Sequence, residues 1–236
     1  MLVIQRTHRG LVRSENEDTL LVEGSLYGVA DGMGGHNGGK TASRVAAEVL
    51  KNLLRGKPPR RETLRIAVEA ANRRIYTLAH DDESLSGMGT TLSVLWEDQN
   101  LLLIAHVGDS RVYRLRDGCL SQVTQDHSVV AELVRNHVIP AEKARTHPMR
   151  NIITRAVGID AVVHPDILTE IKRPGDVWLV CSDGLYDMVT DEEIRQALAS
   201  LESEAAADRL LALALEHGGA DNVSFVLCRV AEDAAP

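Results

Sequence analysis

Four strand-like runs follow one another between residues 90 and 123, and short polar turns join them in pairs. The runs 90–96 and 101–107 flank Glu-Asp-Gln-Asn, and the runs 111–115 and 119–123 flank Arg-Asp-Gly. Turns of this length and composition are typical of β-hairpins. Because a parallel neighbour needs a crossover of a dozen or more residues, each pair must be antiparallel. The stretch therefore argues against a fold built wholly on parallel βαβ units.

Helical segments come in pairs on either side of this strand group. Residues 40–54 and 61–79 carry apolar side chains at helical spacing and are separated by Gly-Lys-Pro-Pro. Thr190 to Glu193 forms a capping box for a helix to about residue 199, and residues 203–217 are amphipathic. This order predicts an α+β fold, a four-layer αββα sandwich of two antiparallel sheets flanked by helices. The remaining predicted elements are strands at 2–8, 19–23, 26–30, 163–171, 176–181 and 222–230, and short helices at 127–136 and 140–146.

Length and charge limit the domain count and the class of partner. A chain of 236 residues with 44% hydrophobic residues predicts one globular domain over residues 1–230 and a C-terminal tail over 231–236. The formal charge of -8 argues against a nucleic-acid backbone as the main partner. No stretch reaches the roughly 18 to 20 apolar residues of a membrane span. Nothing in the sequence indicates oligomerisation, so the default expectation is a monomer.

The three cysteines indicate the compartment. Cys119, Cys181 and Cys228 are odd in number and far apart, with no Cys-x-x-Cys pair. This pattern supports neither a disulfide framework nor a zinc site. The start of the chain also lacks the features of a signal peptide. We therefore expect a cytoplasmic protein.

Acidic residues recur where an apolar strand runs into a turn of small residues. An Asp at the end of a buried strand projects from a rigid base, which suits a ligand, and several carboxylates together select Mg²⁺ or Mn²⁺ over Zn²⁺. Each Asp-Gly taken alone is more often a turn than a ligand. Spacing alone does not show that the five places converge. They are Asn-Glu-Asp at 16–18, Asp-Gly-Met-Gly-Gly at 31–35, Gly-Asp-Ser-Arg at 108–111, Ser-Asp-Gly at 182–184 and Ala-Asp-Asn-Val at 220–223.

Eight strings along the chain resemble those of the metal-dependent serine/threonine protein phosphatases of the PP2C (PPM) type, in their bacterial stand-alone form. They occur in the family's order and cover essentially the whole chain. Each string alone is modest evidence for the family, but eight strings in the same order are highly specific evidence. They are GLVRSENED at 10–18, VADGMGGHNGG at 29–39, GMGTT at 87–91, HVGDSRVYRLRDG at 106–118, LSQVTQDHS at 120–128, HPMRNIITRAVG at 147–158, LVCSDGLYDMV at 179–189 and GGADNVSFVLCRV at 218–230.

The resemblance implies a site with two Mn²⁺ or Mg²⁺ ions that activate a shared water for direct attack on phosphorus. Asp31 matches the bridging carboxylate, and Gly32 would offer its carbonyl to one ion. Asp183 and Asp221 would bind the other ion. These three aspartates are thus the expected catalytic residues, and the expected reaction is hydrolysis of phosphoserine and phosphothreonine on proteins, opposing a bacterial Ser/Thr kinase.

The same resemblance assigns a surrounding set of residues. Arg13 would bind the substrate phosphate, for which its planar fork is suited. Glu17 and Asp18 would orient waters of the ions. Asp109, with Asp183, matches a position that can hold a third, weaker ion. Asn222 receives a supporting role beside the last metal ligand.

A second motif favours a different enzyme class. Gly34, Gly39, Lys40 and Thr41 satisfy the G-x-x-x-x-G-K-[ST] pattern of a P-loop nucleotide hydrolase. That loop belongs to a parallel sheet with crossover helices, which the hairpins between 90 and 123 contradict. A phosphate-sensing pseudophosphatase is the alternative without catalysis. It would have lost a ligand acid, and none is lost here.

Two departures from the family pattern stand out. Many eukaryotic relatives have a histidine directly after Asp-Gly, where this chain has Met33, so the acid role cannot be transferred to His36. Residues 129–150 match the mobile flap of bacterial members. There, Asn136 and His137 stand where a glycine is usual.

Overall fold

A computed structural model describes residues 1–34 and 38–231 of the chain. The described part contains twelve strands and six α-helices. The strands are β1 Leu2–His8, β2 Thr19–Glu23, β3 Leu26–Ala30, β4 Gly32–Met33, β5 Gly89–Thr90, β6 Leu92–Glu97, β7 Leu101–Val107, β8 Arg111–Arg116, β9 Cys119–Gln122, β10 Asp166–Ile171, β11 Val177–Cys181 and β12 Val223–Arg229. The helices are α1 Gly38–Leu54, α2 Arg61–Asp81, α3 Val129–Arg135, α4 Asp183–Tyr186, α5 Asp191–Ser200 and α6 Ser203–Glu216.

Ten of the strands form two five-stranded sheets, in the orders β1-β12-β11-β8-β9 and β10-β7-β6-β3-β2, and β4 pairs with β5. Every strand pair among the described residues is antiparallel. The predicted β6/β7 and β8/β9 hairpins are confirmed. The described strands form no parallel sheet, which argues against the P-loop interpretation of Lys40, because that motif needs a parallel strand and its crossover helix.

The alternation of buried side chains along β11 shows how the layers are built. Val177, Leu179 and Cys181 pack in one core cluster with α5 and α6. Trp178 and Val180 pack in a second cluster between the two sheets. A third cluster joins the other sheet to α1 and α2. The order of layers is helix, sheet, sheet, helix, which confirms the predicted sandwich.

The helix boundaries follow local chemistry. Thr190 accepts a hydrogen bond from the Glu193 amide, and the Glu193 carboxylate accepts one from the Thr190 amide, so the predicted capping box begins α5. The predicted helix over 140–146 is wrong. The structure has only a 3₁₀ turn over Ala141–Lys143, as expected for a segment without an apolar stripe.

Two predicted strand boundaries also need correction. The strand expected over 163–171 begins at Asp166, just after Pro165, which has no N–H to give to a ladder. The strand expected over 90–96 is interrupted at Thr91, which pairs with Asp31 instead. Among the described residues, no helix combines the length and apolar character that crossing a bilayer requires.

Candidate metal centre

Asp31 follows the fully buried strand β3, and the chain then turns into the short strand β4. A Cβ on Gly32 would lie 2.1 Å from the Gly39 carbonyl oxygen and 2.6 Å from that of Glu17. Only glycine therefore allows the start of α1 and the Glu17 loop to approach this backbone so closely. The turn after β3 is consequently a junction of three chain segments.

The structure brings the predicted carboxylates to the same end of the sandwich. Asp183 begins α4 directly after buried β11, and Asp109 follows the end of β7. Asp31 lies close enough to Asp18, Asp183, Asp109 and Asp221 for each charge to act on its carboxyl group. Asp31 in turn lies close enough to Asp18 to act on the pKa of its carboxyl group. Four separate chain segments and the β3 turn thus converge, which spacing alone could not show.

Burial makes these carboxyl groups resist ionisation. Desolvation, followed by repulsion from neighbouring carboxylates, raises the pKa of Asp31 and of Asp183 well above its usual range. Burial likewise raises the pKa of Asp18 to about 7 and that of Asp109 to about 6. Ionising these carboxyl groups together costs free energy, and bound cations would reduce that cost. The arrangement therefore favours cation binding.

Two carboxylate oxygens support the fit to cations directly. Asp18 Oδ1 and Asp183 Oδ1 are buried, and no described group hydrogen-bonds to either atom. Buried polar atoms without partners are rare and call for a missing ligand or ion. Hard carboxylate oxygens suit Mg²⁺ or Mn²⁺. No three of the described His, Cys, Asp and Glu side chains already form a compact ligand group. Asp31 and the four acids that act on it, Asp18, Asp109, Asp183 and Asp221, are grouped more loosely, and we call this group the carboxylate cup.

Asp221 is the predicted ligand that already has partners on both oxygens. Its Oδ1 accepts the Asn222 amide at 2.8 Å, and its Oδ2 accepts from Arg13 Nη2 at 2.7 Å. Arg13 is thereby placed at the mouth of the cup, with Asp183 and Asp31 near enough to raise the pKa of its guanidinium further. The predicted phosphate-binding residue and the predicted ligands therefore share one site.

Asn222 is the main connector of the loop that carries Glu17 and Asp18. Its side-chain oxygen accepts from the Glu17 amide at 2.8 Å, and its side-chain nitrogen donates to the carbonyls of Arg9 and Glu15 at 2.9 and 2.8 Å. The residue is buried. The supporting role expected for Asn222 is thus a specific one, since three backbone groups depend on its amide.

Residues outside the sequence prediction also connect the loops. Ser182 Oγ donates to Asp18 Oδ2 at 2.9 Å, and Tyr186 Oη donates to the Asp109 carbonyl at 3.0 Å. Both flank Asp183 in the string LVCSDGLYDMV. The signal that could have revealed them is a polar group in an otherwise apolar, buried helical turn.

Two histidines near the Asp109 turn have structural partners. His106 Nδ1 lies 2.9 Å from Ser93 Oγ, and His127 Nδ1 accepts the Gly108 amide at 3.2 Å. The other ring nitrogen of His127 lies 3.2 Å from Asp166 Oδ2. Burial lowers the pKa of both imidazoles, that of His106 to about 4. These contacts give both residues a structural role beside the turn that carries Asp109.

A cavity of about 640 Å³ opens beside the carboxylates, under the segment 129–150. Within that segment α3 is followed by His137, whose φ of 57° is a backbone conformation that favours glycine. This geometry explains why a glycine is usual there. His36 lies outside the described residues. The cavity is lined by Asp109, Arg111, Val130, Val134, Arg145 and Asp183, among others.

Comparison with known proteins gives a consistent result. A family model described as "Protein phosphatase 2C" matches residues 12–217. The serine/threonine protein phosphatase PstP of Mycobacterium tuberculosis is 42% identical over 229 residues, which are 96% of this chain and 44% of PstP, so this chain spans less than half of that relative. The serine/threonine phosphatase Stp of Listeria monocytogenes is 38% identical over 94% of this chain and 93% of its own length. A crystal structure of the PstP catalytic domain in complex with two manganese ions superposes with a TM-score of 0.89 at 40% identity, covering 97% of this chain and 98% of that one.

Proposed function

The chain belongs to the protein phosphatase 2C family, and from this premise we propose that it hydrolyses phosphoserine and phosphothreonine on proteins. One observation carries the proposal. Asp18, Asp31 and Asp183 are brought together in the interior, and Asp18 and Asp183 each keep a buried oxygen without a partner among the described residues. Buried carboxyl groups that repel one another and lack hydrogen-bond partners do not stabilise the fold. The use of this arrangement is therefore to bind cations for chemistry.

The proposed cofactors are two Mn²⁺ or Mg²⁺ ions. Asp31 would bridge them, the Gly32 carbonyl would serve one, and Asp183 and Asp221 would serve the other. When bound, the ions activate a water for in-line attack on phosphorus. Asp109 and Asp183 would accept a third, weaker ion.

Three side chains have the other proposed roles in binding the phosphate and orienting water. Arg13 presents a planar fork to the phosphate oxygens and orients the scissile bond. Glu17 Oε1 lies 2.9 Å from the position of a Cβ built on Gly39, so its carboxylate lies against the start of α1, where it would orient water. Asp18 is fixed by Ser182 for the same purpose. Direct attack by water needs no covalent phosphoenzyme.

We also propose the partners, the oligomeric state and the location of the protein. Phosphoprotein substrates imply a cognate Ser/Thr kinase, whose action this enzyme would reverse. We propose that it acts as a monomer with residues 1–230 as one domain. Of the tail over 231–236, only Ala231 is among the described residues. A cytoplasmic location is supported by three free thiols, two of them buried at Cys181 and Cys228.

Hydrolysis of a phosphothreonine peptide tests the proposal. We expect phosphate release with Mn²⁺ and none after full chelation, with activity restored by added Mn²⁺. Activity that survives chelation would overturn the metal mechanism. Binding of the phosphopeptide without turnover at any Mn²⁺ concentration would instead favour a phosphate-sensing role.

A further inference from the structure

The backbone of Asp31 is held by two threonines at the start of the neighbouring strand. Thr90 Oγ1 and the Thr91 amide both donate to the Asp31 carbonyl, at 2.8 and 2.9 Å. The Asp31 amide in turn donates to Thr91 Oγ1 at 3.0 Å. Both backbone polar groups of Asp31 are therefore satisfied by this pair.

The Thr91 hydroxyl has a second contact, on the turn that carries Asp109. Its Oγ1 lies 2.6 Å from Ser110 Oγ, and both side chains are fully buried. Since Oγ1 accepts the Asp31 amide, its own proton is free to be donated to Ser110. One hydroxyl thus links the backbone of Asp31 to the residue after Asp109.

The Thr91 methyl group packs under the same turn. Gly108 has a φ of 102°, and a Cβ placed on it would lie 2.7 Å from both Cβ and Cγ2 of Thr91. The turn therefore closes directly onto this side chain, and only glycine fits there. The two halves of the Thr91 side chain consequently have separable tasks: the hydroxyl links, and the methyl group packs.

We propose that Thr91 is a positioning residue that fixes the distance between the carboxylates of Asp31 and Asp109. The inference rests on the proposed function, because those carboxylates matter there as ion ligands. Thr91 touches neither carboxylate and acts through the backbone of one and the neighbour of the other. Partners that orient ligands in this way typically change metal affinity or activity by 10- to 100-fold.

Two variants separate the tasks, one isosteric and one smaller by a methyl group. Thr91→Val keeps the shape and removes the hydroxyl, whereas Thr91→Ser keeps the hydroxyl and removes the methyl group. Thr124→Val is the matched control, since the buried Thr124 hydroxyl accepts the Val112 amide and contacts none of the carboxylates. Mn²⁺ binding is measured by titration calorimetry on each full-length protein.

We expect Thr91→Val to bind Mn²⁺ about tenfold more weakly, and Thr91→Ser and Thr124→Val to stay within about threefold of the unmodified chain. Equal Mn²⁺ affinity in Thr91→Val would overturn the inference. A loss in Thr91→Ser as large as in Thr91→Val would also overturn it, because the methyl contact would then be the cause. If Thr91→Val does not fold, Ser110→Ala removes the other end of the same link and takes its place, with the same expected loss.

A second readout does not depend on metal or catalysis. Exchange of the Asp31 amide with solvent, followed by NMR in chelator, should accelerate in Thr91→Val and not in Thr91→Ser. Unchanged exchange in Thr91→Val would overturn the inference. An unmodified chain that binds no Mn²⁺ would defeat the proposed function alone, because amide exchange would still decide whether Thr91 holds Asp31.

Discussion

Arg13 and Asp221 form an ion pair at the mouth of the carboxylate cup, with Nη2 and Oδ2 2.7 Å apart. The Arg13 side chain is 53% exposed and that of Asp221 34%. Pairs this accessible to water contribute about 0–1 kcal/mol to folding. The arginine is therefore positioned by the pair without being needed for stability, and its guanidinium stays accessible to an anion.

We expect Arg13→Ala to raise the KM for a phosphothreonine peptide by about tenfold or more, with a smaller change in kcat. The reason is the loss of charged hydrogen bonds to the phosphate, each worth about 1.5–3 kcal/mol. Arg13→Lys should recover only part of this, since an ammonium cannot copy the planar fork. Steady-state kinetics with saturating Mn²⁺ provide the measurement.

The control for charge is Arg44→Ala, which removes an exposed arginine of α1 from a loose contact with Glu48 at 3.9 Å. Its KM should match that of the unmodified enzyme. A KM that does not change in Arg13→Ala would contradict the phosphate-binding role of Arg13.

Features that depend on local sequence were predictable, whereas features that depend on tertiary packing were not. The apolar run of β11 and the capping box at Thr190 are local signals, so the sequence alone predicted the strand and the start of the helix. The closeness of Asp18 to Asp31 depends on how separate strands pack, and no local pattern encodes it. The break at Thr91 has the same origin, because its amide pairs with Asp31, sixty positions earlier. Strand-end acids were thus predictable as candidates, whereas the residues that hold them in place were not.

The buried carboxyl groups of Asp18 and Asp109 should each lower the stability of the chelated protein as pH rises from about 4 to about 7. Unfolded aspartates titrate near pH 3.9, whereas burial raises the pKa of Asp18 to about 7 and that of Asp109 to about 6. Between those values the folded state binds more protons than the unfolded state, so unfolding becomes easier with increasing pH. Thermal unfolding in chelator at several pH values tests this.

Saturating Mn²⁺ should remove that decline, because cations compensate the ionised carboxylates. Asp18→Asn should flatten the profile in chelator and raise the melting temperature at pH 7. The buried imidazole of His106 acts with the opposite sign in both proteins, so the difference between them is the test. An Asp18→Asn profile in chelator that matches that of the unmodified chain would mean that the Asp18 carboxyl group is not buried as described.

Lys40 separates the metal mechanism from the P-loop interpretation by experiment. Its ammonium lies 3.1 Å from Glu15 Oε2, and both side chains are more than half exposed. Lys40→Ala should therefore leave phosphopeptide turnover within about twofold. Asp31→Asn and Asp183→Asn should reduce it to background, measured as phosphate release. The reverse pattern would favour nucleotide hydrolysis at a P-loop.

Asn222 should be replaceable in part by Asp and not by Ala. Ala removes the acceptor for the Glu17 amide and the donors to Arg9 and Glu15. Leaving such buried groups unpaired costs about 1–3 kcal/mol each, so chemical denaturation should show a loss of at least that size. Asp keeps the acceptor and lacks the donors.

The two variants therefore assign the contacts separately. Asn222→Asp should retain the order of the Glu17 amide, seen as slow hydrogen exchange, while the loop near Arg9 exchanges faster. Mn²⁺ affinity should fall in both variants, because the backbone amide of residue 222 donates to Asp221 Oδ1 and a shift of this loop therefore reaches a proposed ligand. The fall should be larger in Asn222→Ala, which loses all three side-chain contacts. Asn72→Ala is the matched control and should not change Mn²⁺ affinity, because the buried Asn72 side chain also accepts one amide, that of Gly158, and donates to two carbonyls, those of Asp160 and Ala161. If Asn222→Asp lost as much stability and as much Glu17 protection as Asn222→Ala, the acceptor contact would have no independent role in holding the loop.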